Sequence, residues 1–204
     1  MSRSNPTTGK IMDGPDIEFR CYAAMLEAIY PPTRASRWEN FDILKSCKSL
    51  LELVAVIQNS IARKLFFDTI RLHVSGDFYS ELYFQAWLII AITHPKIKIY
   101  GYTKRCDLLI KYKNQFPPNF VMVASYGGRL DNLIEKHDLV YSKVVHTIDE
   151  ATALGLPIDS DDSLAMEGKQ SFALLIHGAQ PKLTTASTAA YQNRKKKRLT
   201  KNPK

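Results

Sequence analysis

The spacing of apolar side chains divides the chain into a helical first part and an alternating second part. Helical spacing predicts one helix from about Phe19 to Pro31, and a longer helical stretch over about 34–65 that bends near Ser46. From residue 70 onward, short apolar runs alternate with helical segments. Five of these runs are predicted strands, at 70–74, 97–102, 120–124, 143–146 and 172–176.

Strands and helices that alternate at this spacing predict an α/β fold. We expect a mostly parallel sheet of about five strands, preceded by a helical N-terminal region. The strands are nearly continuous apolar runs, which is typical of strands that are covered on both faces. Two arrangements remain open at this point, a partial barrel and an open doubly wound sheet.

The composition changes near both ends of the chain. Residues 1–16 contain Ser, Asn, Pro, Thr and Gly without periodicity, which predicts a flexible lead-in. Residues 17–180 then form a single predicted α/β domain. Beyond Pro181 the sequence turns to Thr, Ala and Ser and then to lysine, so we predict a disordered basic tail over 181–204.

The net charge of +8 is concentrated in that tail. Residues 194–204 hold seven Lys or Arg and no acidic residue, which leaves 21 basic and 20 acidic residues in the rest of the chain. Clustered cations bind phosphates with salt-dependent, sequence-independent affinity, so DNA or RNA is the predicted partner. The predicted contacts are Arg194, Lys195, Lys196, Lys197, Arg198 and Lys201. An acidic protein, a membrane surface and a solvated end without a partner are the alternatives.

Neither an exported nor a membrane protein is expected. The longest apolar stretch, 83–92, is interrupted by Gln85 and is shorter than the roughly 18 residues that cross a bilayer. The first residues lack the apolar core of a signal peptide. Three widely spaced cysteines indicate reduced thiols in a cytoplasmic protein. They are Cys21, Cys47 and Cys106.

Polar side chains follow the predicted strands at the points where they end. His73 lies just inside the carboxyl end of the first strand and Asp77 follows it. Lys104 follows the second strand, Ser125 the third and His177 the fifth. These ends meet at one edge of a parallel sheet, where ligands bind. We expect a pocket in which the carboxylate and the histidines handle protons and the lysine meets an anion. The structural alternative is a turn aspartate, a solvated lysine and histidines bonded to main-chain carbonyls.

A metal site is not expected. The chain has no short ligand spacing such as HxxxH or CxxC. It also has no Walker loop, no GxGxxG and no GxSxG motif.

Several segments resemble the gene product 88 family of phages and plasmids. The most specific are His73-Val-Ser-Gly-Asp-Phe78, Tyr83-Phe84-x-Ala86-Trp87 and Tyr100-Gly-Tyr-Thr-Lys104. Further matching positions are Cys21-Tyr22-Ala23, Arg37, Asn40, Ser125 and the closing strand with His177. The likeness spans roughly residues 20 to 178.

The resemblance implies a phage-type protein and carries an expectation about cofactors. The family's order of elements is similar to the partial barrels of radical S-adenosylmethionine enzymes, which hold an iron–sulfur cluster on three cysteines. Only Cys21 matches the cluster segment, and the span 159–170 has no cysteine. Such a cluster needs thiolate ligands, so either it has been lost or Cys47 and Cys106 supply ligands from unusual places. We expect the loss, and therefore no bound cofactor.

Three functions are compatible with these observations. The first is a phage-type accessory protein that engages nucleic acid or a nucleoprotein machine through the basic tail and the strand-end pocket. A host or phage protein is a possible further partner. The second is an enzyme on a partial barrel that acts on an anionic or nucleotide-like substrate. The third is a cofactor-free adaptor that binds a host protein.

Overall fold

The computed structural model describes residues 2–14, 17–63 and 67–201, with side chains through Lys195. Seven strands and nine α-helices lie within these residues. The strands are β1 (Arg3–Ser4), β2 (Ile11–Met12), β3 (Thr69–Leu72), β4 (Lys98–Thr103), β5 (Phe120–Ser125), β6 (Tyr141–Val145) and β7 (Phe172–Leu175). The helices are α1 (Tyr22–Ile29), α2 (Pro31–Ser46), α3 (Leu50–Ala62), α4 (Glu81–Thr93), α5 (Cys106–Tyr112), α6 (Asn132–Lys136), α7 (Ile148–Ala153), α8 (Ser163–Glu167) and α9 (Thr185–Lys201).

The five later strands form one parallel sheet in the order β3-β4-β5-β6-β7. In its register, Leu72 lies beside Gly101 and Thr103 beside Ala124. Each strand therefore neighbours the next one along the chain, whereas a doubly wound sheet reverses its order at a switch point. The predicted α/β class and the five-stranded parallel sheet are confirmed, and the order of the strands is that of the partial-barrel alternative.

The chain divides into two compact units, each built from separate segments. The central unit comprises Trp38–Ser142 and Asp162–Gln170. The flanking unit comprises Met1–Arg37, Lys143–Asp161 and Ser171–Lys204. The sequence predicts instead a single domain over 17–180 with unstructured segments on both sides.

Helix α4 covers the apolar face of the sheet in the central unit. The hydroxyl of its N-cap, Ser80, accepts a hydrogen bond from the Tyr83 backbone N–H at 3.2 Å and so fixes the start of the helix. Phe84 of α4 is fully buried beside Ile99 of β4 and Phe120 of β5. Burying a side chain of this size stabilises the fold by about 1.5–3 kcal/mol.

Helix α8 lies against the other face of β4 and β5 in the central unit. Side chains alternate between the two faces of a strand, so Tyr100 and Tyr102 point toward this second face. Gly168 ends α8 with a φ of +61°, and a Cβ atom there would come within 2.3 Å of Val121 Cγ1. Only glycine allows the chain to pass so close to β5.

The predicted long helix over 34–65 is instead two helices. Helix α2 ends at Ser46 and α3 begins at Leu50, on either side of the predicted bend. The Ser49 hydroxyl accepts from the Glu52 backbone N–H at 3.2 Å, and the Glu52 carboxylate accepts from the Lys48 N–H at 2.7 Å. This reciprocal capping starts a new helix. Residues 64–66 of the predicted stretch lie outside the described residues.

The first residues of the flanking unit form an antiparallel hairpin of β1 and β2. In its turn, the Asn5 side chain accepts from the Thr8 backbone N–H at 2.8 Å. Arg34 of α2 donates to the Pro6 carbonyl at 3.0 Å and ties the turn to a helix. The sequence predicts a flexible lead-in over 1–16, whereas Asn5 makes the local side-chain bonds that are typical of asparagine in turns. Residues 1, 15 and 16 of that prediction lie outside the described residues.

Helix α9 occupies most of the segment that the sequence predicts to be a disordered tail. Ala186, Ala189 and Ala190 are buried with Ile176 in a small apolar core of the flanking unit. Alanine has the highest helix propensity, and its short side chain lets a helix pack closely. Residues 202–204 of the predicted tail lie outside the described residues.

Helix length also bears on membranes. The apolar helix α4 has 13 residues, whereas about 20 residues are needed to cross a bilayer. Within the part of the chain that the structure describes, none of the helices is both long enough and apolar enough to span a membrane.

Candidate functional site

Four of the five residues predicted to form a pocket lie at the carboxyl ends of neighbouring strands in the central unit. His73 and Asp77 follow β3, Lys104 follows β4, and Ser125 is the last residue of β5. We refer to these four residues and Thr103, which ends β4, as the strand-end cluster.

The fifth predicted residue, His177, belongs to the flanking unit. Its ring lies 5.8 Å from the ring of Tyr22 on α1. Its carbonyl accepts from Gln180 Nε2 at 2.9 Å, and the Gln180 side-chain oxygen accepts from the Arg20 N–H at 2.6 Å. These bonds connect the loop after β7 to the segment that leads into α1.

Asp77 links the end of β3 to the end of β4. Its Oδ1 atom accepts from the Thr103 hydroxyl at 2.6 Å and from the Phe78 backbone N–H at 2.7 Å. Its Oδ2 atom accepts from the Lys104 backbone N–H at 2.7 Å. Gly76, with a φ of +83°, makes the turn that precedes the aspartate. A carboxylate with three donors from the protein acts as a structural link between strand ends.

Lys104 extends this link to the end of β5. Its ammonium group donates to the Ser125 carbonyl at 3.2 Å, to the Ser125 hydroxyl at 3.4 Å and to the Tyr126 carbonyl. Gly127, with a φ of +92°, leaves room for the ammonium, because a Cβ atom there would lie 3.3 Å from Lys104 Nζ. The diglycine turn and the lysine are therefore one packed feature.

His73 differs from its neighbours because its ring nitrogens have no hydrogen-bond partner among the described residues, although both are buried. The ring packs edge-on against Phe78 at 4.4 Å and lies 5.7 Å from the Tyr83 ring. Burial lowers the pKa of His73, and the charge of Asp77 opposes this shift with a smaller effect. The backbone φ of +53° places a non-glycine residue in the left-handed region, which costs about 1–3 kcal/mol.

Hydrogen bonds therefore join Asp77, Lys104 and Ser125, and His73 lies beside them. The aspartate is bonded within the turn, as the structural alternative expects. The lysine donates to main-chain carbonyls and is not simply solvated, which differs from that alternative. Neither nitrogen of the His73 imidazole has a partner in the part of the chain that the structure describes, and a neutral imidazole can accept or donate a proton. A role of these residues in catalysis or binding stays a prediction.

A second polar group, centred on Asp162, lies on the face of the sheet that α8 covers. Its carboxylate accepts from Arg71 at 2.6 Å, from the Tyr100 hydroxyl at 3.0 Å and from the Tyr102 hydroxyl at 2.8 Å. The Arg71 guanidinium also lies 5.2 Å from the centre of the Tyr102 ring. Asp162 has a φ of +66° and immediately precedes α8, so the group holds the start of that helix on the sheet.

This group is not among the residues predicted from the sequence. The signal was the alternation Tyr100-Gly-Tyr102 in a central strand, which places two hydroxyls on one buried face. Buried hydroxyls require partners. Their partner lies 60 residues or more further along the chain, so the sequence offered no local sign of Asp162.

The predicted nucleic-acid residues lie on α9. The Asn193 side chain donates to the His146 carbonyl at 3.0 Å and to the Ile176 carbonyl at 3.2 Å, which attaches the helix to the ends of β6 and β7 within the flanking unit. Arg194 and Lys195 follow directly and are exposed. The backbone continues as a helix to Lys201. The predicted contacts of Lys196, Lys197, Arg198 and Lys201 depend on side chains outside the described ones.

The cysteines bear on the iron–sulfur cluster that the resemblance suggests, and the loss of that cluster stays a prediction. No group of three or more His, Cys, Asp or Glu side chains in the described part of the chain is placed to hold a metal ion. Cys106 is buried in the apolar core of the central unit, and burial raises the pKa of its thiol. A cluster needs the thiolate form, which this environment disfavours.

The fold and its strand-end cluster define an α/β protein with a parallel sheet whose polar groups gather where the strands end. The sequence profile of the family described as Gene product 88 matches residues 17–199. The chain therefore belongs to the gene product 88 family, as the resemblance indicated.

The chain is also similar to a phage protein. The chain is 26% identical over 161 residues to the Gene 88 protein of Mycobacterium phage L5, an alignment that covers 74% of this chain. It covers 60% of the length of the phage protein. No solved structure matches the chain.

Proposed function

We propose that this protein binds nucleic acid through the basic segment of α9, residues 194–201. The observation that carries the proposal is the attachment of α9 by Asn193, directly before five consecutive cationic residues. Arg194 and Lys195, the first two of the five, are exposed.

The helical form of this segment favours phosphate binding for a physical reason. Cations that neutralise phosphates release the counterions condensed on the nucleic acid, and this release drives association. A segment that is already helical loses less conformational entropy on binding than a disordered one. The anchored helix therefore presents its charge at a lower cost than the predicted tail would.

Membership of a phage protein family agrees with an accessory role on nucleic acid or a nucleoprotein machine. The charge distribution agrees as well, because the chain outside 194–204 has nearly equal numbers of basic and acidic residues. The attraction to phosphates is therefore concentrated in one helix. Such a role would place the protein in the cytoplasm of the host cell.

The test is the salt dependence of binding to a labelled DNA duplex. The variant replaces the five cationic residues at 194–198 by glutamine. We expect the slope of log K against log salt concentration to become shallower by up to about 4.5, because each lost phosphate contact removes about 0.9 from the slope. Fluorescence anisotropy over a series of salt concentrations measures it.

The matched control removes the same charge elsewhere. It replaces five exposed lysines of the central unit by glutamine, and so reaches the same formal net charge. They are Lys48, Lys96, Lys113, Lys136 and Lys169. We expect a nearly unchanged slope. An equal loss in both variants would show that only net charge matters, and the proposal would then be wrong.

As a second candidate function, we propose that the strand-end cluster binds an anionic or nucleotide-like ligand. The ring nitrogens of His73 favour it, because they are buried and have no partner within residues 2–14, 17–63 and 67–201. A buried polar group without a partner costs about 1–3 kcal/mol unless a ligand satisfies it. The ammonium of Lys104 supplies positive charge at the end of the neighbouring strand.

Inorganic phosphate and AMP serve as the probes for this second function. We expect either of them, at millimolar concentration, to raise the melting temperature of the parent protein and not that of His73→Phe. His137→Phe is the control, because His137 is exposed at the end of α6. The second candidate would be excluded if neither probe changes the melting temperature of the parent protein. It would also be excluded if a probe raises the melting temperature of His73→Phe by the same amount.

A further inference from the structure

The two sides of α9 differ in character within the described residues. Ala186, Ala189 and Ala190 are buried, and Asn193 donates to the strand carbonyls from the same side. At 100° per residue, Tyr191 lies about 150° around the helix axis from the mean direction of these four residues. It is 70% exposed, so this tyrosine faces away from the protein.

Tyr191 shares its side of the helix with the first two cations of the basic segment. Arg194 and Lys195 follow it at i+3 and i+4, the positions that neighbour a residue on a helix surface. Both are exposed. We call Tyr191, Arg194 and Lys195 the aromatic–basic face of α9. The sequence alone shows only that a tyrosine precedes the basic run, whereas the helix places the three side chains next to one another.

We infer that Tyr191 stacks on unpaired bases and that the nucleic acid bound by α9 is single-stranded. This inference rests on the proposed function. An aromatic ring beside cations is the arrangement by which proteins hold single strands, with the ring on a base and the cations on the flanking phosphates. In a duplex the faces of the bases are stacked on one another, so the ring would find no equivalent partner.

A membrane surface is the other partner that aromatic and basic side chains can serve. An interfacial helix needs a broad apolar face opposite its charges. The broad apolar side of α9 is the alanine side, which is buried in the protein. Tyr191 is the one large apolar side chain exposed on the described part of the helix. One exposed ring is sufficient to stack on one base, whereas binding to a bilayer needs a broad apolar face.

The test compares Tyr191→Leu with the parent protein on a labelled single strand and on the duplex formed from it. Leucine keeps an apolar side chain and good helix propensity but removes the aromatic ring. We expect affinity for the single strand to fall about 5- to 100-fold. Affinity for the duplex should change less than about twofold, and Tyr191→Phe should keep most single-strand affinity because it keeps the ring.

The control is Tyr30→Leu, since Tyr30 is an exposed tyrosine at the end of α1, away from any basic run. It should leave both affinities unchanged. Equal losses on single strand and duplex, or no loss for Tyr191→Leu, would overturn the inference. Tighter binding to anionic lipid vesicles than to the single strand, with the same dependence on Tyr191, would overturn it in favour of a membrane.

The salt dependence separates this inference from the proposed function. The slope reports phosphate contacts by the cations, so Tyr191→Leu should weaken binding and leave the slope unchanged. A parent protein that shows a normal slope with no effect of Tyr191 keeps the proposed function and loses the inference. A parent protein without salt-dependent binding loses both.

Discussion

At the end of β3, a single carboxylate holds two strand ends together. Asp77 accepts hydrogen bonds from Thr103, Phe78 and Lys104, at distances of 2.6 to 2.7 Å. The sequence pointed to this residue as an acid or base for chemistry. The bonds show that it also determines how the loop after β3 lies against β4.

We expect Asp77→Ala to destabilise the protein by about 2–4 kcal/mol, because the truncation leaves the Thr103 hydroxyl and two backbone N–H groups without their acceptor. Asp77→Asn should cost less, since it keeps one acceptor oxygen. Urea unfolding at pH 7 measures both, with an unchanged slope as evidence that the folded state stays compact.

The control for this prediction is Asp42→Ala, an exposed aspartate on α2. It should change stability by no more than about 0.5 kcal/mol. If Asp77→Ala stays within about 1 kcal/mol of the parent protein, the carboxylate has no structural role of this size. A functional role would then be the better explanation of its position.

Sequence reasoning at this scale found the residues and not their bonding. It identified His73, Asp77, Lys104 and Ser125 because polar residues after apolar runs are visible in the sequence. It could not decide whether their polar atoms face a cavity or other protein groups, because that depends on contacts across three strands. The turn glycines Gly76 and Gly127 decide these contacts through their positive φ angles.

At the scale of elements, the alternating apolar runs predicted all five strands of the sheet. The burial of both faces leaves strands that are continuously apolar, so their presence is clear and only their ends shift by a residue or two. Helix α4 also carries local signals in the sequence, because its N-cap is Ser80 and His94-Pro95 stops it.

Elements whose stability comes from distant partners escaped prediction. The β1–β2 hairpin depends on Arg34, which lies on a later helix. Helix α8 depends on Asp162 and its bonds to β3 and β4. Helix α9 depends on the packing of its alanines and on Asn193. In each case the local composition is polar or low in periodicity, and the decisive contact is remote in sequence.

Helix α9 also changes how its charge should be understood. In a disordered tail, the basic side chains would have no fixed positions relative to one another or to Tyr191. As a helix, it gains a buried side and an exposed side, and Tyr191 becomes a neighbour of Arg194 and Lys195. Composition alone could not make this distinction, because it depends on which residues face the protein.

At the scale of the whole molecule, stability should depend on pH through His73. Burial holds the pKa of His73 below its ordinary value of 6.5. Burial also raises the pKa of neighbouring Tyr83 to about 12, so that phenol stays neutral. The carboxylate of Asp77 is the charged group that favours the protonated imidazole, and its effect is smaller than that of burial.

The direction of the effect follows from proton binding. A histidine whose pKa is lowered by folding binds more protons in the unfolded state, so acid favours unfolding. The contribution of the neutral His73 to the free energy of unfolding is fully present above pH 6.5. It is lost as the pH falls from 6.5 toward the lower pKa of His73 in the folded state. The hydrogen bonds with Arg105 hold the pKa of Asp107 below 3.8, so the stabilisation by this carboxylate is lost only in stronger acid than that which protonates histidine.

We therefore expect the free energy of unfolding to decrease on acidification from pH 7 to pH 5, and His73→Phe to remove a clear part of this decrease. Phenylalanine cannot be protonated, and it fits the aromatic contacts with Phe78 and Tyr83. At pH 7 the variant should be about as stable as the parent protein, since the imidazole forms no hydrogen bond there among the described residues. Urea unfolding at several pH values measures this, with the exposed His137→Phe as control. If the stability of the parent protein and that of His73→Phe depend on pH in the same way, the imidazole is solvated in the folded state. The His73 ring would then no longer support the proposal that a ligand binds at the strand ends.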